Sequence, residues 1–242
     1  HLDTARAAAG KVQLIEKPFA MNAGEAREIA ALPGTVMEAF HHRYHPAFRQ
    51  FMAWVEAIGP LTRMEGRFHV TIPDRPGELR HVAELGGGSL MDLGTYPLQI
   101  ARTLAGREPV VLDAVAVEGR PRIDLSMRFD LDFGDGLSAR LSSDMSEGVA
   151  REMWFEATGA GGTVRMDNPV HPYRGCRISG PQGTLTNDDH PRWTEVTTYD
   201  AQLAHLIACL GMGTAPLTGG TAAIRQMEAI DAIYEKSGLG PR

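Results

Sequence analysis

Three segments of the 242-residue chain carry side chains whose types and spacing could do chemistry. The first is Glu16-Lys17-Pro18, directly after the short apolar run Val12 to Ile15. If that run is a parallel strand, Lys17 stands at its carboxyl end, where open α/β sheets bind ligands, and presents an ammonium to them. Pro18 keeps Lys17 out of a helix and can fix the turn, in the cis form if the geometry asks for it. The second segment is Gly86-Gly87-Gly88-Ser89-Leu90-Met91-Asp92-Leu93-Gly94-Thr95-Tyr96-Pro97. Three glycines let a backbone approach a ligand closely, and a helix after them places Asp92 and Tyr96, four apart, on one face. A carboxylate and a phenol would then point together, with Pro97 kinking the helix that carries them.

The third segment, His41-His42-Arg43-Tyr44-His45-Pro46, invites a metal reading because His41 and His45 are four apart, as in helical zinc motifs. Pro46 disfavours helix at His45, and Val36 to Phe40 patterns as strand, so His41, Arg43 and His45 are expected to share one polar strand face, with no metal site. Each of the other two segments also has a plain structural reading: a solvated lysine beside a glutamate, and a glycine loop before a capped helix. Single segments leave both readings open.

The elements that must position these residues follow two patterns. Thr4 to Ala9 is helical and ends at Gly10; Val12 to Ile15 is a strand; Asn22, with Glu25 three residues on, starts a helix that Pro33-Gly34 stops; Val36 to Phe40 is a second strand. Helix, strand, helix, strand is the rhythm of a parallel α/β sheet. Ala47 to Ile58 continues as a helix with Phe48, Phe51, Met52 and Val55 on one face. Later the period becomes two. Met127, Phe129, Leu131 and Phe133 alternate with Ser126, Arg128, Asp130 and Asp132, and Gly134-Asp135-Gly136 turns the chain into Leu137, Ala139 and Leu141. Two further hairpins are expected, Met153 to Met166 and Cys176 to Leu185, followed by two closing helices with stripes Leu203, Leu206, Ile207, Leu210 and Ala223, Met227, Ile230, Tyr234. The pattern changes near residue 59.

Composition removes several function classes. Twenty-four basic against 30 acidic residues give a net charge of −6. A mildly acidic chain with no basic stripe lacks the electrostatic footprint of a nucleic-acid or anionic-membrane binder. No stretch reaches 18 consecutive apolar residues, so no membrane span is expected. The two cysteines, Cys176 and Cys209, have no C-x-x-C spacing, which fits a reducing cytoplasm better than a disulfide framework. Gly134-Asp135-Gly136-Leu137-Ser138-Ala139 matches a dinucleotide pattern only by accident, because a strand and not a helix follows it.

The order of segments is more specific than any one of them. Residues 9 to 20 (Ala-Gly-Lys-Val-Gln-Leu-Ile-Glu-Lys-Pro-Phe-Ala), 37 to 46 (Met-Glu-Ala-Phe-His-His-Arg-Tyr-His-Pro) and 86 to 98 (Gly-Gly-Gly-Ser-Leu-Met-Asp-Leu-Gly-Thr-Tyr-Pro-Leu) closely resemble the Gfo/Idh/MocA oxidoreductases. The nearest branch is that of glucose-fructose oxidoreductase and dimeric dihydrodiol dehydrogenase, because Tyr96 stands where inositol-dehydrogenase-like members carry histidine. The resemblance covers essentially the whole chain, down to Thr218-Gly219-Gly220 and the last helix. It implies the tail of an NAD(P)-binding Rossmann domain over residues 1–45. Residues 46–242 would be a substrate-binding and oligomerisation domain with an open, mostly antiparallel sheet flanked by helices, an α/β plus α+β fold. It implies NAD or NADP as cofactor and hydride transfer at a hydroxyl-bearing carbon of a sugar, polyol or diol. A homodimer or homotetramer built through the sheet is expected as well. Lys17, Tyr96 and Asp92 take the catalytic positions, Glu16, Lys17 and Pro18 the cofactor side, and Arg43 and His45 the substrate cleft. A Lys ammonium near Tyr96 should favour its phenolate, the base that takes a hydroxyl proton.

Family members begin with a strand, a glycine-rich turn and a helix that hold the pyrophosphate, and this sequence starts after that part. Residues 1–242 alone are therefore expected to bind a dinucleotide poorly. The competing reading is a non-catalytic binding or dimerisation module; a third is redox-assisted hydrolysis or isomerisation, in which hydride leaves and returns.

Overall fold

The computed structural model describes residues 1–240. Helix α1 (Leu2–Ala7), strand β1 (Val12–Ile15), helix α2 (Ala23–Ala30) and strand β2 (Thr35–Glu38) open the chain. The Asn22 side chain accepts from Glu25 N at 3.0 Å while Glu25 accepts from Met21 N, so two free N–H groups at the start of α2 are satisfied. β1 and β2 pair in parallel, Val12 opposite Thr35 and Ile15 opposite Glu38, as a two-stranded sheet. β2 stops earlier than its sequence suggests. Phe40 N turns back to Glu38 O, and His41–Tyr44 form a 3₁₀ turn that leads into α3 (Pro46–Ala57). The expected strand face shared by His41, Arg43 and His45 therefore does not exist. In a 3₁₀ turn, side chains leave at about 120° intervals instead of alternating.

The rest of the chain is built on an eight-stranded sheet. Its strands are β3 (Leu61–His69), β4 (Val110–Glu118), β5 (Asp124–Asp132), β6 (Ser138–Asp144), β7 (Glu152–Gly159), β8 (Gly162–Asp167), β9 (Arg177–Gly180) and β10 (Gly183–Thr186). The spatial order is β10-β9-β8-β7-β3-β6-β5-β4. Every pair is antiparallel except β3 with β6. Gly134-Asp135-Gly136 joins β5 to β6 as a hairpin turn, as expected, and leads into no helix. β3 and β4 did not stand out in the sequence: β3 mixes Arg, Glu and Gly with its apolar residues, and β4 is an edge strand whose residues are mostly exposed.

Between β3 and β4 lies a five-residue π-helical turn, Leu90–Gly94, that runs directly into α4 (Thr95–Ala105). Pro97 lies where the π-helical turn continues into α4, so its missing N–H leaves a carbonyl of that turn without a ladder donor. Gly94 is tightly packed: a Cβ there would lie 2.9 Å from Leu90 Cδ1 and 2.9 Å from Ser143 Oγ, and both side chains would have to shift. Gly87 is similar, since a Cβ would meet Arg80 O at 2.6 Å. The chain closes with α5 (Arg192–Glu195), α6 (Thr198–Met212) and α7 (Thr221–Ser237). Ala223, Met227, Ile230 and Tyr234 of α7 are buried as patterned. On α6 only Leu206 of the expected stripe is buried, and Leu203, Ile207 and Leu210 face outward.

One apolar core runs through both parts. Ile15, Ile29 and Phe40 from the first forty-five residues join Phe48, Phe51, Phe68, Phe129 and Phe155. Each such large side chain stabilises the fold by about 1.5–3 kcal/mol when fully buried. The opposite sheet face is polar and open, with Arg140 paired to Asp130 at 2.8 and 3.1 Å.

Candidate active site

Lys17 stands one residue beyond Glu16 at the carboxyl end of β1, and the Lys17–Pro18 peptide bond is cis. Its ammonium donates to Asp92 Oδ1 at 2.8 Å and to the Asp92 main-chain carbonyl at 2.6 Å. Both side chains are largely buried, 12% and 18% exposed, so the pair is screened much less than a surface ion pair. The second carboxylate oxygen accepts from Arg80 Nε at 2.8 Å, and Arg80 is braced by Glu78 at 3.0 Å. Burial by itself would raise the Asp92 carboxyl, but the Lys17 and Arg80 charges outweigh it and hold the group below the usual carboxylate range. Asp92 is thus an anion with both oxygens engaged.

The Asp92 carbonyl is free to take Lys17 because the π-helical turn bonds i to i+5, which makes residue 97 its ladder partner, and Pro97 has no N–H to donate. The same turn brings Tyr96 in one helical step later. The Lys17 ammonium lies 4.8 Å from the centre of the Tyr96 ring, within cation–π range. Tyr96 is 8% exposed and wedged among Phe40, His42 and Phe68, with ring centres 5.8, 5.5 and 6.2 Å away. Lys17, Asp92 and Tyr96 are therefore brought together from segments far apart in sequence.

The electrostatics of the phenol differ from expectation. Burial raises Tyr96 well above its usual range, and the charges of Asp92 and Glu16 raise it further. The ammonium expected to favour a phenolate is claimed by Asp92 instead, so the resting phenol is neutral. Glu16 is exposed, and Pro18 is half-buried.

Arg43 and His45 are placed elsewhere. Both nitrogens of the fully buried His45 ring are used: Nδ1 accepts from Ala47 N at 3.2 Å to cap α3, and Nε2 meets Val196 O at 2.8 Å. Arg43 contacts Met52 Sδ at 3.2 Å and lines a separate polar pocket of about 210 Å³ with Glu38, Gln99 and Arg102. Glu38, at the end of β2, accepts from Phe19 N at 3.0 Å, and burial pushes its carboxyl up to about 8.

Several residues near Tyr96 were not singled out by the sequence. Arg80 belongs to no motif. His41, expected on a polar strand face, instead stacks on Tyr199 and His171 beside Tyr96. Asp124 at the start of β5 fastens the π-helical turn by accepting from Leu90 N at 2.7 Å, Ser89 Oγ at 2.8 Å and Tyr234 Oη at 2.8 Å. Only a folded chain shows these meetings, since Asp124 and Tyr234 are 110 positions apart.

At the crest of β1 the Lys17 ammonium and the proton-bearing Tyr96 phenol lie side by side. Among the described residues no glycine-rich turn leads from a strand into a long helix to hold the pyrophosphate.

A short parallel sheet whose strand end carries this lysine, beside a large, mostly antiparallel sheet flanked by helices, gives an α/β plus α+β architecture. Residues 48–165 match the model of the GFO/IDH/MocA C-terminal domain. The chain is 31% identical over 250 residues to the dTDP-3,4-didehydro-2,6-dideoxy-alpha-D-glucose 3-reductase of Streptomyces violaceoruber, covering 96% of this chain and 71% of the relative. It is 33% identical over 141 residues to the trans-1,2-dihydrobenzene-1,2-diol dehydrogenase of Xenopus tropicalis, covering 55% of this chain and 42% of that protein. Among solved structures, the aldose-aldose oxidoreductase from Caulobacter crescentus, complexed with glycerol, superposes with a TM-score of 0.86 at 28% identity, over 98% of this chain and 72% of that one. A 3-ketoreductase from Actinomadura kijaniata in complex with NADP and TDP-benzene shares the fold, with a TM-score of 0.79 at 22% identity over 97% of this chain and 73% of that one. The chain belongs to the Gfo/Idh/MocA oxidoreductase family.

Proposed function

We propose that this protein is an NAD(P)-dependent oxidoreductase that moves hydride between the nicotinamide and a hydroxyl-bearing carbon of a sugar, polyol or diol. The observation that carries the reading is the convergence of Lys17, Asp92 and Tyr96 at the crest of β1. Bound nicotinamide supplies or accepts the hydride. The protein's own part is the proton. Tyr96 is neutral at rest and donates its proton to a carbonyl oxygen in the reducing direction; in the oxidising direction it must first lose that proton, and its phenolate then takes the hydroxyl proton. Lys17, held by Asp92, stabilises negative charge on that oxygen. Asp92 and Arg80 fix the ammonium so that little reorganisation is needed at the moment of transfer. Glu16, Lys17 and Pro18 form the cofactor side of the cleft. Relatives named for sugar reduction, NADP-linked xylose oxidation and diol oxidation support this substrate range. The test is turnover of aldoses and diols by the complete protein with NAD and with NADP. No activity with any of them overturns the reading.

We also infer a homo-oligomer formed through the open sheet face, where Val115 and Val117 lie exposed beside Arg128, Arg140 and Trp154. Sedimentation of the complete protein as a monomer overturns this. Both cysteines are free and buried, which supports a reducing compartment such as the cytoplasm.

A further inference from the structure

His41 is held in place by rings, not by hydrogen bonds. It stacks on Tyr199 at 4.5 Å and on His171 at 5.2 Å, and its centre is 6.2 Å from that of Tyr96. The residue is 3% exposed, and its Nδ1 has no hydrogen-bond partner. Leaving such a nitrogen unsatisfied costs about 1–3 kcal/mol, and native proteins keep few such atoms unless a ligand or ordered water completes them. The neighbouring rings carry polar edges too. His171 Nδ1 lies 3.5 Å from the Tyr173 hydroxyl, and Tyr199 is exposed on the first turn of α6. The wall beside Tyr96 is aromatic in its faces and polar at its edges. Ring faces suit the C–H groups of a substrate, and edge nitrogens and hydroxyls suit its oxygens.

We propose that His41 is a specificity-determining residue of this cleft, hydrogen-bonding a substrate hydroxyl other than the one that reacts at Tyr96, directly or through one ordered water, with Tyr199 and His171 fixing its ring. The inference rests on the oxidoreductase reading above. Burial, then the nearby His171 and Lys17 charges, push the imidazole down to about 3, so it is neutral in the working range. A neutral imidazole offers one donor and one acceptor, which reads a hydroxyl in either sense and stores no proton.

The test compares matched substrates that differ by one hydroxyl. D-Glucose against its 2-, 3- and 4-deoxy analogues, and cyclohexane-1,2-diol against cyclohexanol, are assayed with the complete protein and each nicotinamide cofactor. The wild type is expected to disfavour at least one analogue by tenfold or more in kcat/KM. In His41→Phe, which keeps a ring for the stack, that discrimination falls to within about threefold, through KM for the parent substrate and not through kcat. His41→Leu makes the same comparison if the phenylalanine variant does not fold. Wild-type turnover with undiminished discrimination in these variants overturns the inference alone. Turnover of none of these compounds by the wild type overturns the oxidoreductase reading and the inference with it.

Discussion

The ammonium of Lys17 reaches two oxygens of one residue, the carboxylate and the main-chain carbonyl of Asp92, across 75 positions of sequence. An ammonium has three donors, so this double contact leaves one for a ligand and fixes where it points. The π-helical turn and Pro97 together make the second contact available, since the i+5 partner of the Asp92 carbonyl has no N–H.

Removing that ammonium tests its role directly. Lys17→Ala is expected to lower kcat by roughly 10²–10³, the usual scale of a lost charge-stabilising donor, while far-ultraviolet circular dichroism stays unchanged. The fold is spared because Asp92 keeps its contact with Arg80. Lys17→Arg is expected not to rescue, since a planar fork cannot occupy the site of a compact ammonium. Activity within threefold of wild type in both variants removes Lys17 from the chemistry.

Tyr96 makes a directional prediction. Its phenol is raised well above its ordinary range by burial and by Asp92 and Glu16, so the acid form dominates at neutral pH. Carbonyl reduction needs that acid form, and alcohol oxidation needs its conjugate base. In initial-rate measurements, kcat/KM for reduction should be flat from pH 6 to 9, and oxidation should climb through the same range. Tyr96→Phe should suppress both by about 10²–10⁴ with little loss of stability, because the ring still fills the space among Phe40 and Phe68. A rate of oxidation that is independent of pH contradicts this assignment.

Lys17, Asp92 and Tyr96 were legible because each lies in a segment with local constraints: proline after a strand end, and glycines before a helix. β5 and β6 were legible because one face is buried and the other wet, which writes period two into the residues. The 3₁₀ turn at His41–Tyr44 was not, because its short apolar lead-in reads equally as strand. Nor was the outward stripe of α6, since periodicity shows that Leu203, Ile207 and Leu210 share a face but not what the face meets. Arg80, Asp124, His171 and Tyr199 reach the site only through tertiary contacts, and no spacing rule encodes those.

The buried imidazole of His41 should make the fold sensitive to acid. Its ordinary value is 6.5, and burial lowers it to about 3 in the folded chain. Between those limits the unfolded chain binds a proton that the folded chain refuses, so stability falls as pH drops from 6.5 toward 3. Urea titrations at pH 7 and pH 4 should show a gap that shrinks in His41→Phe by something on the order of a few kcal/mol. An equal gap in the two proteins shows that His41 is not the group responsible.

Glu38 gives the opposite slope. Burial pushes its carboxyl from 4.5 up to about 8, with Phe19 N and the Arg102 and Lys17 charges only partly opposing. A carboxyl raised in this way keeps its proton in the folded state where the unfolded chain has lost it. Its contribution is therefore neutral below 4.5, turns destabilising as pH rises, and levels off above about 8. Glu38→Gln keeps an oxygen to accept from Phe19 N and cannot ionise. The variant should match wild type near pH 4 and exceed it at pH 8.5 by something on the order of a few kcal/mol in urea unfolding. The two histidine and glutamate slopes oppose each other between pH 4.5 and 6.5, so wild-type stability alone reveals neither, and the single variants are needed to separate them. Equal stability of Glu38→Gln and wild type at pH 8.5 means that the carboxylate finds a partner across the pocket it shares with Arg43 and Arg102.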